Sequence, residues 1–440
     1  MFCLLQILSL SKPPIVIMPG LYGSNLLATY EKGFAKHWYC PKKMETDLFW
    51  VSYKFAIPPL YNCLFELMHG YYDPNTDSVT SEPGLTVDVK DFGGDQGISY
   101  VDKNGIFGHH FIESFAPMLE YFKKRGYTIK KDIFGAPYDW RLAMAGLEKN
   151  FFPKLKGLIE HAYDTNENQR VTILGYSCGG FCIQRFLTTF VSQEWKDKYV
   201  RKIIFLAPAF GGSGDTLDVA WNQYFPIIPF LSSKSIAKAI ETVPAIHALF
   251  PNHVVFGDIP IVKGPSGEII KAKDVPQFLI DHKKVTGNHI NTMMKAVQIS
   301  SQAPGDVGVP VLMLYNSKHE TALTMHFHKG WNEEPKLENT NGDGTVPSIG
   351  PEWACNHWSG DKSVVCFDFL NGNKKFDHQG LSTNPYVHEV IFNNTVSDNW
   401  IEKKGARFEY APHVDVSEDE LTFTIMPHIR AHLTKQVIKE

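Results

Sequence analysis

Four apolar, β-branched runs recur along the chain, and each closes on a turn carrying Gly or Ser. They are PPIVIMPG (13–20), VTILGYS (171–177), KIIFLAPAFGG (202–212) and VPVLMLYNS (309–317). The runs are largely continuous in hydrophobicity rather than alternating, as strands buried on both faces are. Helix-period segments lie between several of them, at 112–124 (with Phe115, Leu119 and Phe122 on one stripe), 147–162 and 180–190. Strands of this kind alternating with helices predict an α/β fold with a mainly parallel sheet covered on both faces. At 440 residues the chain can hold one such core and carry insertions on it. A charged fraction of 20% against 43% hydrophobic residues excludes extended disorder. A net charge of -4 without any basic run argues against nucleic acid as a partner. No apolar stretch reaches the roughly 18 residues that span a bilayer, which leaves association with a membrane surface open.

Residues 1–11, MFCLLQILSLS, are almost uniformly apolar and end on the small residues Ser9 and Ser11. They read as a signal peptide for the secretory pathway. Its removal takes Cys3 and leaves Cys40, Cys63, Cys178, Cys182, Cys355 and Cys366, an even set compatible with disulfides. Cys178 and Cys182 stand four apart in a helical context and read as reduced core residues. Two stretches break the core pattern. Residues 37–75 are crowded with Trp, Phe, Tyr and Leu without a clean period. Residues 213–305 interrupt the strand order with Trp221, Tyr224, Phe225 and the run PIIPFL (226–231). Insertions after sheet strands often cover the active-site end of α/β enzymes. The expected organisation is a core of 12–36 and 76–212, an aromatic insertion at 37–75, a cap or lid at 213–305, and a returning core at 306–440.

Gly175-Tyr176-Ser177-Cys178-Gly179 matches G-x-S-x-G, with an apolar strand before it and an amphipathic segment after it. That strand–elbow–helix context makes Ser177 the candidate nucleophile. Glycines at 175 and 179 suit a strained turn with neighbours too close for a Cβ. Acyl transfer also needs fixed N–H donors for the developing oxyanion. One is expected from the Cys178 amide and one from the loop after the first strand, where Leu21 is the favoured donor and Tyr22 the alternative. The serine needs a general base, and the base needs a carboxylate. Asp343, in NGDGTVP (341–347), suits a tight loop that turns its side chain inward. His388, His378 and His357 all follow it, and spacing leaves His388 and His378 as even rivals.

These motifs together resemble the lecithin:cholesterol acyltransferase family, which includes lysosomal phospholipase A/acyltransferase. The MPG…GSNL loop, APYDWRL (136–142), GYSCGG (175–180), LAPAFGGS (206–213), GDGTV (342–346) and HEVIFNN (388–394) carry the likeness, from about residue 14 to 395. The resemblance implies an α/β-hydrolase fold with a membrane-contacting insertion and a lid. It implies Ser177, Asp343 and His388 as the catalytic set, raising His388 above His378. It also implies a disulfide between Cys40 and Cys63, with Phe49 and Trp50 between them contacting lipid. Cys355 matches one end of a further family bridge whose other end falls on Met313, so Cys355–Cys366 is the local substitute to test. Asp139 and Arg141 of APYDWR are expected as a buried pair rather than a catalytic one.

The expected activity is removal of a fatty-acyl chain from a glycerophospholipid through an acyl-serine, with transfer to water or a lipid alcohol. No cofactor is required, and no cluster with metal-ligand spacing stands out. The expected partners are a phospholipid membrane or lipoprotein surface and, as acceptor, a lipid alcohol. The expected location is extracellular or the lysosomal lumen. The alternatives are a soluble carboxylesterase and a catalytically dead lipid-binding protein.

Overall fold

The computed structural model describes residues 12–56, 59–101, 114–223, 240–358, 364–397 and 407–409. The expected signal peptide and the run at 226–231 lie outside them. In chain order the strands are β1 (Ile15–Met18), β2 (Leu26–Tyr30), β3 (Met44–Trp50), β4 (Gly70–Asp73), β5 (Ser78–Ser81) and β6 (Thr86–Val89). Then come β7 (Ile133–Gly135), β8 (Val171–Tyr176), β9 (Val200–Leu206), β10 (Pro260–Lys263) and β11 (Ile269–Lys271). The last are β12 (Val311–Tyr315), β13 (His319–His326), β14 (Lys336–Gly342), β15 (Val364–Asp368) and β16 (Arg407–Glu409).

Seven strands form the central sheet in the order β16-β15-β12-β9-β8-β1-β7, and every pairing is parallel. The four apolar runs supply β1, β8, β9 and β12. All of β1 and β12 is buried, which explains why no polar alternation marks them. β15, VVCFD, adds a further strand of the same buried, apolar kind. Helices Ala116–Lys124 and Cys178–Thr189 stand where their apolar stripes predict them. The segment 147–162 divides into Ala143–Asn150 and Phe152–Asp164, with Pro153 in the first turn of the second helix.

Three smaller sheets decorate this core. In the sheet β3-β2-β6, β3 of the aromatic insertion pairs with β2 on the loop after β1, and β4 pairs with β5. The fourth sheet, β11-β10-β13-β14, crosses the expected boundary at residue 305. β10 and β11 come from 213–305, whereas β13 and β14 come from 306–440. Disulfides join Cys40 to Cys63 and Cys355 to Cys366, and Cys178 and Cys182 are free and buried. Among the described residues no helix is long and apolar enough to cross a membrane.

Candidate active site

Ser177 sits where β8 ends and the helix Cys178–Thr189 begins, with φ 55° and ψ -128°. A non-glycine residue held there costs about 1–3 kcal/mol, and the turn is fixed from several sides. The Ser177 amide donates to Leu206 O at 2.9 Å, and Ser177 O accepts from Gly180 N at 3.0 Å and Ala209 N at 3.2 Å. A Cβ on Gly179 would stand 2.2 Å from Pro19 O, and one on Gly175 would stand 2.7 Å from the Gly180 Cα. Both glycines are therefore required by close backbone approach.

The imidazole that meets this serine belongs to His378. Its Nε2 lies 2.9 Å from Ser177 Oγ, and its Nδ1 lies 2.7 Å from Asp343 Oδ2. The carboxylate can only accept when ionised, so Nδ1–H donates to it and Nε2 is left to accept from the hydroxyl. Asp343 Oδ1 accepts from the amides of Thr345 at 3.0 Å and Val346 at 2.7 Å, so the carboxylate is held at both oxygens. The His378 amide donates to Asp343 O at 2.7 Å. The ring stacks on Tyr176 at 5.1 Å, and the Tyr176 hydroxyl donates to His378 O at 2.8 Å. Asp377 caps the short helix that His378 opens, accepting from Gly380 N at 2.7 Å. Ser177 and Asp343 are buried, and His378 keeps 15% of its side chain exposed.

His388 is not at the nucleophile, and that expectation is corrected. It lies inside the helix Pro385–Val396, fully buried, with Nε2 donating to Ser382 O at 2.9 Å and its ring against Tyr121. Burial pushes its pKa down to about 4, against the small upward pull of the Ser382 carbonyl. It is a neutral core histidine. His357 stacks on Trp353 at 4.1 Å and bonds the Trp353 carbonyl.

The loop after β1 presses on the elbow. A Cβ on Gly20 would stand 2.9 Å from the Ser177 Cβ. Among the described residues the Leu21 and Cys178 amides have no hydrogen-bond acceptor, as donors reserved for a ligand oxygen would. The loop is locked to APYDWR by a hydrogen bond from Tyr138 N to Ser24 Oγ at 3.0 Å. Arg141 is fully buried. It grips Asp139 at 2.8 and 2.6 Å and Ser81 Oγ at 2.7 Å, and it also bonds Leu67 O. The motif is a structural clamp.

Phe49 and Trp50, expected to contact lipid, are fully buried. Trp50 packs edge-on to Trp140 at 5.0 Å, near Tyr22 at 5.5 Å, and its Nε1 donates to Tyr22 O at 2.9 Å. Pairing β3 with β2 turns the end of β3 into the core, so Trp50 braces the loop that carries Leu21. The exposed aromatic of this region is Trp38, 89% accessible and two residues before Cys40. Among the described residues one grouping has metal-ligand character, His37, Cys40 and Glu66, and its sulfur is already bridged to Cys63.

A parallel sheet with a strained serine elbow after a central strand, faced by a histidine and an aspartate, defines an α/β-hydrolase. The family model for lecithin:cholesterol acyltransferase matches residues 46–301, more than half of the chain. The chain belongs to the lecithin:cholesterol acyltransferase family. It is 26% identical over 371 residues to lysosomal phospholipase A and acyltransferase of Bos taurus, covering 83% of this chain and 88% of that one. It is 26% identical over 382 residues to phosphatidylcholine-sterol acyltransferase of Rattus norvegicus, covering 83% of each. The human lysosomal phospholipase A and acyltransferase matches at 25% over 390 residues, covering 86% of this chain and 90% of that one.

Proposed function

We propose that the protein transfers fatty-acyl chains from glycerophospholipid to water or to a lipid alcohol through an acyl-serine. The observation that carries this is the unbroken relay from Asp343 through His378 to Ser177, at 2.7 and 2.9 Å, in a chain of this family. His378 Nε2 takes the hydroxyl proton as Ser177 Oγ attacks the acyl carbonyl. Asp343 holds the ring in its tautomer and offsets the imidazolium charge. The tetrahedral oxyanion is held by the Leu21 and Cys178 amides, each donor contributing about 3 kcal/mol to the transition state. The imidazolium then returns its proton to the departing glycerol oxygen. In the second half, His378 deprotonates water or an alcohol as it attacks the acyl-serine carbonyl, and the imidazolium returns that proton to Ser177 Oγ as the serine ester bond breaks.

The names of two relatives, a phospholipase A and acyltransferase and a phosphatidylcholine-sterol acyltransferase, support a phospholipid acyl donor for this reading. The lipid-facing role expected of Phe49 and Trp50 passes to Trp38. Two disulfides favour an oxidising compartment, outside the cell or in a lumen. The test is fatty-acid release from phosphatidylcholine vesicles. The wild type should release it and react with a fluorophosphonate, and Ser177→Ala should do neither. Undiminished release by the variant would overturn the mechanism.

A further inference from the structure

Two buried hydroxyls outside the relay each bond one of the peptide units around Asp343. Ser213, at the start of the helix Gly214–Asn222, donates its Oγ–H to Thr345 O at 2.6 Å. That carbonyl belongs to the same peptide unit as the Val346 N–H, which donates to Asp343 Oδ1 at 2.7 Å. Thr321 of β13 accepts on Oγ1 from the Gly344 N–H at 2.9 Å and donates to His319 O at 3.2 Å. The Gly344 N–H shares its peptide unit with Asp343 O, the acceptor of the His378 amide at 2.7 Å. Two hydrogen-bonded chains therefore enter the loop 342–347 from neighbouring elements. One ends on the carboxylate and the other on the backbone of the histidine. Thr321 is fully buried and Ser213 nearly so. Thr321 fits so closely that a Cβ on Gly342 would stand 2.4 Å from its Oγ1. Ser213 Oγ also accepts from Asp215 N at 3.2 Å, which caps its helix.

We propose that Ser213 and Thr321 are positioning residues for acyl transfer: Ser213 fixes the Asp343 carboxylate and Thr321 fixes the His378 main chain, each through a single peptide unit. The inference rests on the acyl-transfer reading above. A peptide unit is planar and polarisable, so a hydrogen bond at one end strengthens the bond made at the other. Loss of the Ser213 proton weakens the Val346 donor, and Asp343 Oδ1 keeps only the Thr345 amide at full strength. Loss of the Thr321 hydroxyl takes the acceptor from the Gly344 N–H and loosens the carbonyl that holds the His378 amide. Among the described residues neither hydroxyl bonds Ser177 or the His378 ring, so both act through the loop.

The test measures kcat and KM of the full-length protein on a soluble p-nitrophenyl ester, with thermal unfolding alongside. Thr321→Val keeps the side-chain shape and removes the hydroxyl. It should lower kcat about tenfold with KM changed less than about twofold, short of the roughly hundredfold that a displacement of about 1 Å can cost. Thr321→Ser should restore most of the rate. Ser213→Ala should lower kcat in the same way, and Ser213→Thr should restore it. In a His378→Ala background, Thr321→Val and Ser213→Ala should change the residual rate less than about twofold, because both act through the relay. Wild-type kcat in Thr321→Val or in Ser213→Ala overturns the proposal. So does an equal fractional loss in the His378→Ala background, which is what a purely structural role gives. Hydrolysis by Ser177→Ala at the wild-type rate overturns the acyl-transfer reading itself, and this proposal with it.

Discussion

His378 and His388 both follow β15, and their surroundings give them unlike chemistry. His378 opens a short helix in a polar loop, where its two nitrogens meet Ser177 and Asp343. His388 is embedded among Val387, Val390 and Ile391, and burial holds it neutral. His378→Ala should lower kcat by at least about a thousandfold. His388→Ala should keep turnover within a few-fold and lose about 2–3 kcal/mol of stability, because it opens a cavity and leaves Ser382 O unpaired. Steady-state kinetics beside urea unfolding separates the two, and a folded but inactive His388→Ala would reverse the assignment. Ser177 and Asp343, the candidate nucleophile and acid, were readable because their glycines and flanking strands are local signals. The base was not, because spacing leaves His378 and His388 even and the likeness of HEVIFNN to the family pattern favours His388. Once VVCFD is recognised as a sheet strand, the polar loop after it is where a catalytic histidine belongs, and a histidine inside an apolar helix reads as core.

Among the elements, the insertion at 37–75 advertises its apolar content in the sequence but not which side of it faces in. Residues 45–47 of β3 are exposed while Phe49 and Trp50 are buried, an arrangement set by pairing with β2 and by Tyr22 and Trp140, all distant or separate in sequence. Such non-local register cannot be read from a segment without a clean period. Trp38→Ala should weaken sedimentation with phosphatidylcholine vesicles several-fold while leaving hydrolysis of a soluble ester intact. Trp50→Ala should slow both substrates, because the loop bearing Leu21 loses its brace. Equal vesicle binding by wild type and Trp38→Ala would remove that residue from the lipid surface.

Across the molecule, burial drives the pKa values of three of the described histidines far below the ordinary 6.5. His247 and His69 are lowered to about 3 and His388 to about 4, in each case chiefly by burial. Each binds fewer protons folded than unfolded. Stability is therefore full above about 6.5 and is lost as pH falls from there towards the folded values. For His247, fully buried, the loss at pH 5 is about 2 kcal/mol. Asp215, whose carboxyl is raised, runs the other way and offsets part of it. Thermal unfolding should occur several degrees lower at pH 5 than at pH 7.5, and His247→Leu should narrow the gap. Identical melting at both values would show that these rings are not held neutral in the fold. Finally, the sheet shared between residues 213–305 and the chain that follows has a consequence for any attempt to trade flaps between relatives. β14 ends at Gly342, directly before Asp343, and its neighbour β13 is paired with β10 of the flap. A graft that replaces only 213–305 would strip β13 of a partner and unseat the hinge on which the carboxylate hangs. The transplantable unit runs on through the Asp343 loop.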